Sequence, residues 1–439
     1  MRSRLTVALG RTARLAARVR GGGSGGTAFP GLVMERTDPG FLERTLSRLP
    51  RGVIVVSGTN GKTTTTKMVV QLLREQGLKV FTNRTGSNFV RGVLAALLTE
   101  VDAAGNLDAD IAVLELDEAH AVHFVAQVRP RACLLLNVMR DQLDRFGEID
   151  YTASLLHSIA KATSDVVVLN GDDPRLAAPA FLEDVTARVV SFGAGEDLRS
   201  LFLSDDDLRT GQTGPRAHQD ESQIPGPRVT LEAIDGQRAT VRVDGASHKV
   251  DFAIPGVHNL LNACAALGVV LEVLGEDADL PGLLTTLGNV RAAFGRGEVL
   301  TLDGRPVQLS LVKNPAGFRM GLLSAAAQAQ AGEVVVVAIN DEYADGRDMS
   351  WLWDVDFAAL RANGVAVVTG VRAWDMALRL RYDDVEVTDV EPDLRKAVAL
   401  MRRAATDADR PMRIFTTYTA MLALRSILGE MTDVEEVMS

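Results

Sequence analysis

GVIVVSGTNGKTTTT, residues 52–66, decides the architecture of this 439-residue chain. The run 52–58 is continuous, rich in β-branched residues and bounded by glycine. That predicts a strand buried on both faces of a parallel sheet. A helix is expected from about Lys62 to Gln76, stopped by Gly77. The turn between them contains Gly58, Thr59, Asn60 and Gly61. In a strand–loop–helix of this order, backbone N–H groups and the helix N-terminus converge on one place, which favours phosphate oxygens. Gly58 and Gly61 let the backbone approach without a Cβ. Lys62 can bridge the outer phosphates, and the Thr63 hydroxyl can sit on Mg²⁺. The expected nucleotide set therefore runs from Gly58 through Thr64. The general phosphate loop has two more residues between its glycines, so this is a shortened form. A tight turn with a solvated lysine is the plainer alternative, and the order strand, Gly-Lys-Thr, helix weighs against it.

Outward from this loop, LKVFTN (78–83), IAVLEL (111–116), ACLLLNV (132–138) and DVVVLN (165–170) read as further strands. Strands alternating with helical stretches predict an α/β domain with a mostly parallel sheet. Residues 196–228 are polar and turn-rich, which predicts a surface excursion. Residues 229–256 alternate apolar and polar around Asp235-Gly236 and Asp244-Gly245, the signature of a small antiparallel meander. NLLNACAALGVVLEVLG (259–275) predicts a buried helix. Near Gly297 the pattern restarts, and EVVVVAIN (333–340), VAVVTG (365–370) and RIFTTYT (413–419) predict a second α/β domain.

Composition narrows the function. Net charge is −10, so long-range repulsion from a phosphate backbone argues against general nucleic-acid binding. Cys133 and Cys264 both lie in apolar runs and read as buried small hydrophobes. No run of about 18 apolar residues is read from the sequence, so no spanning helix is expected, and no signal peptide is read either. Residues 1–20 carry six arginines and no acid. They predict a basic helix, either simply packed and solvated or touching an anionic membrane surface. GGGSGG follows as a flexible linker.

GTNGKTTT (58–65) resembles the phosphate loop of Mur ligases and folylpolyglutamate synthetases. Those enzymes use ATP to turn a carboxylate into an acyl phosphate, which a nitrogen nucleophile then displaces. Further strings agree with the resemblance. VLELDEAH (113–120) places Glu115 where the family holds Mg²⁺, with Asp117 and Glu118 as nearby alternatives. NVMRDQLDRFG (137–147) and NGDDP (170–174) resemble family strings. GVHNLLNACAA (256–266) implies that His258, Asn259 and Asn262 lie by the adenosine end, though a helix-capping role is the alternative. GRGE (295–298) implies that Arg296 reaches the nucleotide. Two departures stand out. Gln142 replaces the usual His of a second metal site, and Leu156 falls where several Mur ligases carry a carbamylated lysine.

The C-terminal strings VKNPAGF (312–318) and NDEYADGRDMSWLWDVDF (340–357) are similar to the MurT branch of the Mur ligases. The resemblance implies a cytoplasmic synthetase subunit working with a GatD-like glutaminase, at the inner face of the plasma membrane. It implies ATP and Mg²⁺ as cofactors, lipid II as substrate and ammonia from glutamine as nucleophile. It also implies that Asp348 orients a histidine of the partner, against the plainer reading of a turn aspartate. Trp351 and Trp353 are candidate interface anchors or core residues. Many MurT proteins carry a four-cysteine zinc ribbon; residues 196–250 hold no cysteine, so no zinc is expected. The catalytic set is then Lys62, Glu115 and Asp348, with Thr63 and Glu115 on the metal. The expected fold is a Mur ligase-like central P-loop ATPase domain with a mostly parallel sheet, plus a C-terminal Rossmann-like α/β domain. The expected domains are 1–45 (basic helix and linker), 46–297 (central, with an insert at 196–254) and 298–439. The alternative function is a self-sufficient amino-acid-adding ligase.

Overall fold

The computed structural model describes residues 2–20, 28–83, 88–140, 149–202, 204, 224, 226–291, 296–328 and 332–431. The GGGSGG tract, Gln142 and most of the polar stretch 203–225 lie outside the described residues. The chain divides into two compact units. Unit 1 comprises Met1–Val138, Ile149–Ala253 and Asn259–Val290, and unit 2 comprises Met139–Glu148, Ile254–His258 and Arg291–Ser439.

Unit 1 opens with three helices: α1 (Arg2–Arg20), α2 (Ala28–Thr37) and α3 (Phe41–Leu46). Its sheet begins with β1 (Val53–Ser57), every residue of which is buried. The alternation continues through α4 (Lys62–Glu75), β2 (Val80–Thr82), α5 (Val90–Glu100), β3 (Ile111–Glu115), α6 (Glu118–Val125), β4 (Ala132–Leu135), α7 (Ile149–Ala162), β5 (Val166–Asn170), α8 (Pro179–Leu182) and β6 (Arg188–Ala194). The antiparallel strands β7 (Val229–Asp235), β8 (Arg238–Val243) and β9 (Ala246–Asp251) follow. The strand order is β2-β3-β1-β4-β5-β6-β7-β8-β9. β1 pairs in parallel with β3 on one side and β4 on the other. The chain thus leaves β1 toward one edge and returns on its other side. In open parallel sheets, ligands bind beyond the carboxyl ends of the strands at such a reversal.

The meander expected at 229–256 forms, with Asp244 (φ 47°) and Gly245 (φ 87°) in the left-handed conformation of its second turn. It is not a separate patch: β7 pairs in parallel with β6 and extends the main sheet. Helices α9 (Val257–Leu274) and α10 (Leu280–Asn289) complete this part of the chain. The α9 segment corrects the expectation of no long apolar run. By length and composition, Val257–Asp277 would suffice to cross a bilayer. Residues 259–274 are instead buried, so its apolarity serves a packed core. Leu156, where some Mur ligases carry a modified lysine, is fully buried in the apolar core of unit 1.

Unit 2 contains β10 (Arg296–Leu302), β11 (Arg305–Leu311), α11 (Pro315–Gln328), β12 (Val334–Ala338), β13 (Val365–Thr369), α12 (Ala373–Tyr382), β14 (Val387–Glu391), α13 (Leu394–Ala408), β15 (Met412–Thr416) and α14 (Tyr418–Gly429). Its strand order is β10-β11-β15-β12-β13-β14. All pairs are parallel except the β10–β11 hairpin. Apolar clusters cover both faces of this sheet.

Candidate active site

The phosphate loop leaves the carboxyl end of β1 and feeds α4. Gly58 has φ +129°, and a Cβ there would lie 3.0 Å from the backbone nitrogens of Leu136 and Asn137. Gly61 has φ +88° and ψ −12°, and a Cβ there would meet Asn262 Oδ1 at 2.7 Å. Neither position accepts a side chain without rearrangement. The loop is also laced to its neighbours. Thr59 N donates to Asn137 O (3.1 Å), Asn60 N to Asn137 Oδ1 (2.8 Å), and Asn137 Nδ2 to Asn60 O (3.1 Å). Behind Asn137, Val138 N donates to Asp173 Oδ2 (2.7 Å), which ties in the NGDDP string.

Lys62, 7% exposed, curls over the loop. Its Nζ donates to Gly58 O (2.6 Å) and to Glu118 Oε2 (3.2 Å). The neighbouring Thr63 Oγ1 donates to Glu115 Oε1 (2.8 Å). Glu115 ends β3, and its backbone is clamped by one side chain: Glu115 N donates to Asn83 Oδ1 (2.9 Å) and Asn83 Nδ2 to Glu115 O (2.8 Å). Asp117 heads α6, and its Oδ1 is buried with no hydrogen-bond partner among the described atoms. Thr64 is buried one residue further along α4. The strand order β3-β1-β4 thus brings Lys62, Thr63, Glu115 and Glu118 into direct contact.

These groups fit a hydrated divalent cation next to polyphosphate. Mg²⁺ takes oxygen ligands and is usually held by one or two side chains plus phosphates and water. The Thr63–Glu115 contact supplies one hydroxyl and one carboxylate, and the unpartnered Asp117 oxygen adds a further acceptor in the turn that follows β3. Of the residues expected to hold nucleotide, Asn259 and Asn262 lie in unit 1, with Asn262 Nδ2 donating to Asn259 Oδ1 (3.4 Å). His258 and Arg296 belong to unit 2, and the side chain of Arg296 is outside the described set.

Asp348 lies in the loop that leaves the carboxyl end of β12. This loop is built on buried polar side chains. Asn340 N donates to Thr417 Oγ1 (2.9 Å), and Val371 N donates to Asn340 Oδ1 (3.0 Å). Asp345, 3% exposed, accepts from Glu342 N (3.0 Å), Thr419 N (2.8 Å) and Thr419 Oγ1 (2.5 Å). Asp348 itself is half-buried and accepts from Ser350 N (2.9 Å). The Ser350 side chain and then its backbone N–H hold the Asp348 carboxyl below the usual carboxylate range, so it is an anion at neutral pH. The two tryptophans divide. Trp351 is 8% exposed and packs near Phe318, whereas Trp353 is 50% exposed and stacks edge-on with exposed Tyr382. With Trp374 and Leu378, Tyr382 forms an exposed stripe at i, i+4, i+8 along α12.

Sequence reasoning did not single out Asn83, Asn137 or Asp345. Asn137 opens the NVMRDQLDRFG string, and Asp345 stands three residues before Asp348. Only the fold shows what their side chains hold. Both cysteines are buried, and burial pushes their thiols up to about 12. Neither offers a thiolate nucleophile at neutral pH.

Comparison with known proteins agrees with this geometry. Residues 56–270 match the family described as Mur ligase middle domain, and residues 311–421 match MurT ligase C-terminal. The chain is 30% identical over 419 residues to the lipid II isoglutaminyl synthase (glutamine-hydrolyzing) subunit MurT of Staphylococcus aureus, covering 91% of this chain and 92% of that one. It is 28% identical over 437 residues to the same-named subunit of Streptococcus pneumoniae, covering 94% and 95%. Among solved structures, MurF of Acinetobacter baumannii superposes with TM-score 0.68 at 19% identity, over 91% of this chain and 81% of that one. Folylpolyglutamate synthase of Mycobacterium tuberculosis, solved with ADP, gives 0.63 at 18% identity, over 89% and 93%. At such identities the structural likenesses establish the fold. The loop geometry, the two family matches and the full-length relatives converge: the chain belongs to the MurT family of Mur ligases.

Proposed function

We propose that this chain is the synthetase subunit of a lipid II isoglutaminyl synthase, an ATP-dependent amide ligase of peptidoglycan biosynthesis. The observation that carries the reading is the end-to-end similarity to MurT subunits, whose name states that activity. ATP would lie with its phosphates on the Gly58–Thr64 loop, where backbone N–H groups and Lys62 neutralise charge. Mg²⁺, when bound by Thr63 and Glu115, would supply electrostatic stabilisation of the γ-phosphoryl group. A carboxylate oxygen of the substrate, the α-carboxyl of D-isoglutamate in the stem peptide, attacks the γ-phosphorus and ADP departs. Ammonia then attacks the carbonyl carbon of the acyl phosphate. The C–O bond to phosphate breaks, inorganic phosphate leaves, and the nitrogen gives up a proton to form the amide.

Ammonia is proposed to come from a GatD-like glutaminase partner. This chain has no exposed cysteine among its described residues to serve as a glutaminase nucleophile. It does present Asp348 as a half-exposed anion, in a loop leading to the Trp353–Tyr382 pair. Such an acid can fix the tautomer of a histidine and stabilise the imidazolium. The exposed aromatic stripe on α12 suits a protein partner. The reaction would run in the cytoplasm, where ATP is available.

Co-expression with a glutaminase partner and an assay of lipid II amidation tests this. With Asp348→Asn, glutamine-dependent amidation should stop while added ammonia restores it; with Lys62→Ala, both should stop. An enzyme that needs no partner and uses an amino acid in place of ammonia would establish the self-sufficient ligase instead.

A further inference from the structure

One face of α1 is accounted for by the fold, and the other is not. Thr6, Val7, Gly10 and Ala13 are buried, and α1 packs on α2 and α5. Three polar contacts pin it there. Thr6 Oγ1 donates to Asp38 Oδ2 (3.3 Å), Arg2 Nε pairs with Asp38 Oδ1 (3.3 Å), and Arg11 donates to Val101 O (3.0 Å). The opposite face carries Leu5, Ala8, Thr12 and Leu15, all exposed, with Leu5 at 62% and Leu15 at 66%. At 100° per residue these four fall within an arc of about 80°, and Arg4 and Arg11 lie together along one edge of it. Two exposed leucines in a stripe edged by arginines are not what a merely solvated helix face presents.

Charge selects the occupant. Residues 1–20 hold six arginines and no acid, and the first acidic residue is Glu35, whereas the whole chain carries −10. An anionic surface would attract this helix and repel the rest, so contact would be confined to α1 and oriented by it. A nucleic acid would make use of the arginines and leave the leucines in water. An apolar stripe with arginines along its edge suits the boundary between headgroups and acyl chains.

We propose that the outward face of α1 binds the surface of an anionic lipid bilayer. Leu5 and Leu15 enter the headgroup–acyl boundary, and Arg4 lies among the lipid phosphates. The purpose of the contact rests on the reading above, since a lipid-linked substrate is presented at such a surface. The binding itself rests on α1 alone and is measurable without substrate.

The test is co-sedimentation of the full chain with vesicles of phosphatidylglycerol and phosphatidylcholine in about a 3:7 ratio, against pure phosphatidylcholine. Binding is expected to the anionic vesicles only, and raising salt should weaken it. Arg4→Glu should lower it by about fivefold or more, from the value of one basic residue at such a surface. Leu5→Ser with Leu15→Ser should lower it by about tenfold or more. Ala8→Asp, on the same exposed face, provides a second variant. Unchanged nucleotide affinity in each variant shows that unit 1 is folded. Three outcomes overturn the proposal: no binding to anionic vesicles, equal binding to neutral ones, or binding that survives all the variants. If an acidic protein is the true occupant of this face, the chain stays in the supernatant with phosphatidylglycerol vesicles, which is the first of these.

Discussion

Replacing Gly61 with alanine tests the geometry of the phosphate loop most directly. The structure supplies two separate penalties. The first is conformational: φ +88° with ψ −12° is a backbone state that L-residues disfavour by about 1–2 kcal/mol. The second is steric: the new methyl would lie 2.7 Å from Asn262 Oδ1, so the amide must move and give up its bond to Asn259. That bond is long, and losing it costs about 1 kcal/mol at most. Together they come to about 1–3 kcal/mol, or ~5- to 150-fold in the population of the loop and so in ATP affinity. Titration with a fluorescent ATP analogue reads the loss. Because the two penalties have different origins, Asn262→Ala in the Gly61→Ala background should recover the steric part, about fivefold, and leave the backbone part. The single variant Asn262→Ala closes the thermodynamic cycle. Wild-type affinity in Gly61→Ala would refute the claim that this glycine is required. No coupling between the two sites would refute Asn262 as the group it must clear.

Glu115→Gln should leave the fold intact and lower amidation by about 10²-fold, with a higher Mg²⁺ requirement, because one charged oxygen beside Thr63 is lost; an unchanged Mg²⁺ titration would remove Glu115 from the metal. Asp345→Ala removes the acceptor that ties the Asp348 loop to Thr419, at a local cost of about 2–3 kcal/mol. Glutamine-dependent activity should fall while ammonia-dependent activity stays, and equal loss of both would show that Asp345 does not act through Asp348. With thiols pushed up to about 12, Cys133 and Cys264 should resist a thiol reagent between about pH 7 and 9 in the native protein and react fully in denaturant. Rapid labelling of the native chain near pH 8 would sink that account.

The continuous apolar strands were readable because burial on both faces leaves no polar alternation. β1, β3, β5 and β12 appear in the sequence almost to the residue. The strands β6 and β14, absent from the sequence reading, lack a continuously buried run. β14 is half-exposed along most of its length, and β6 begins exposed and only ends buried. The β10–β11 hairpin did carry a local signal, Asp303-Gly304, with both residues in the left-handed region at φ 51° and 75°. It is the same Asp-Gly signature that marked the earlier meander.

What residues 57–66 determined alone was a backbone requirement and a charge. A glycine-bounded turn after a buried strand, with Lys and Thr at a helix start, favours phosphate wherever the strand lies, because the conformation is local. The pairing of Lys62 with Glu118 and of Thr63 with Glu115, the clamping of Glu115 by Asn83, and the lacing of Asn60 to Asn137 were decided only by the tertiary structure. These partners come from separate crossover units. Their side chains meet because β1 lies between β3 and β4, and that order comes from burying both faces of the whole sheet rather than from any one string of residues.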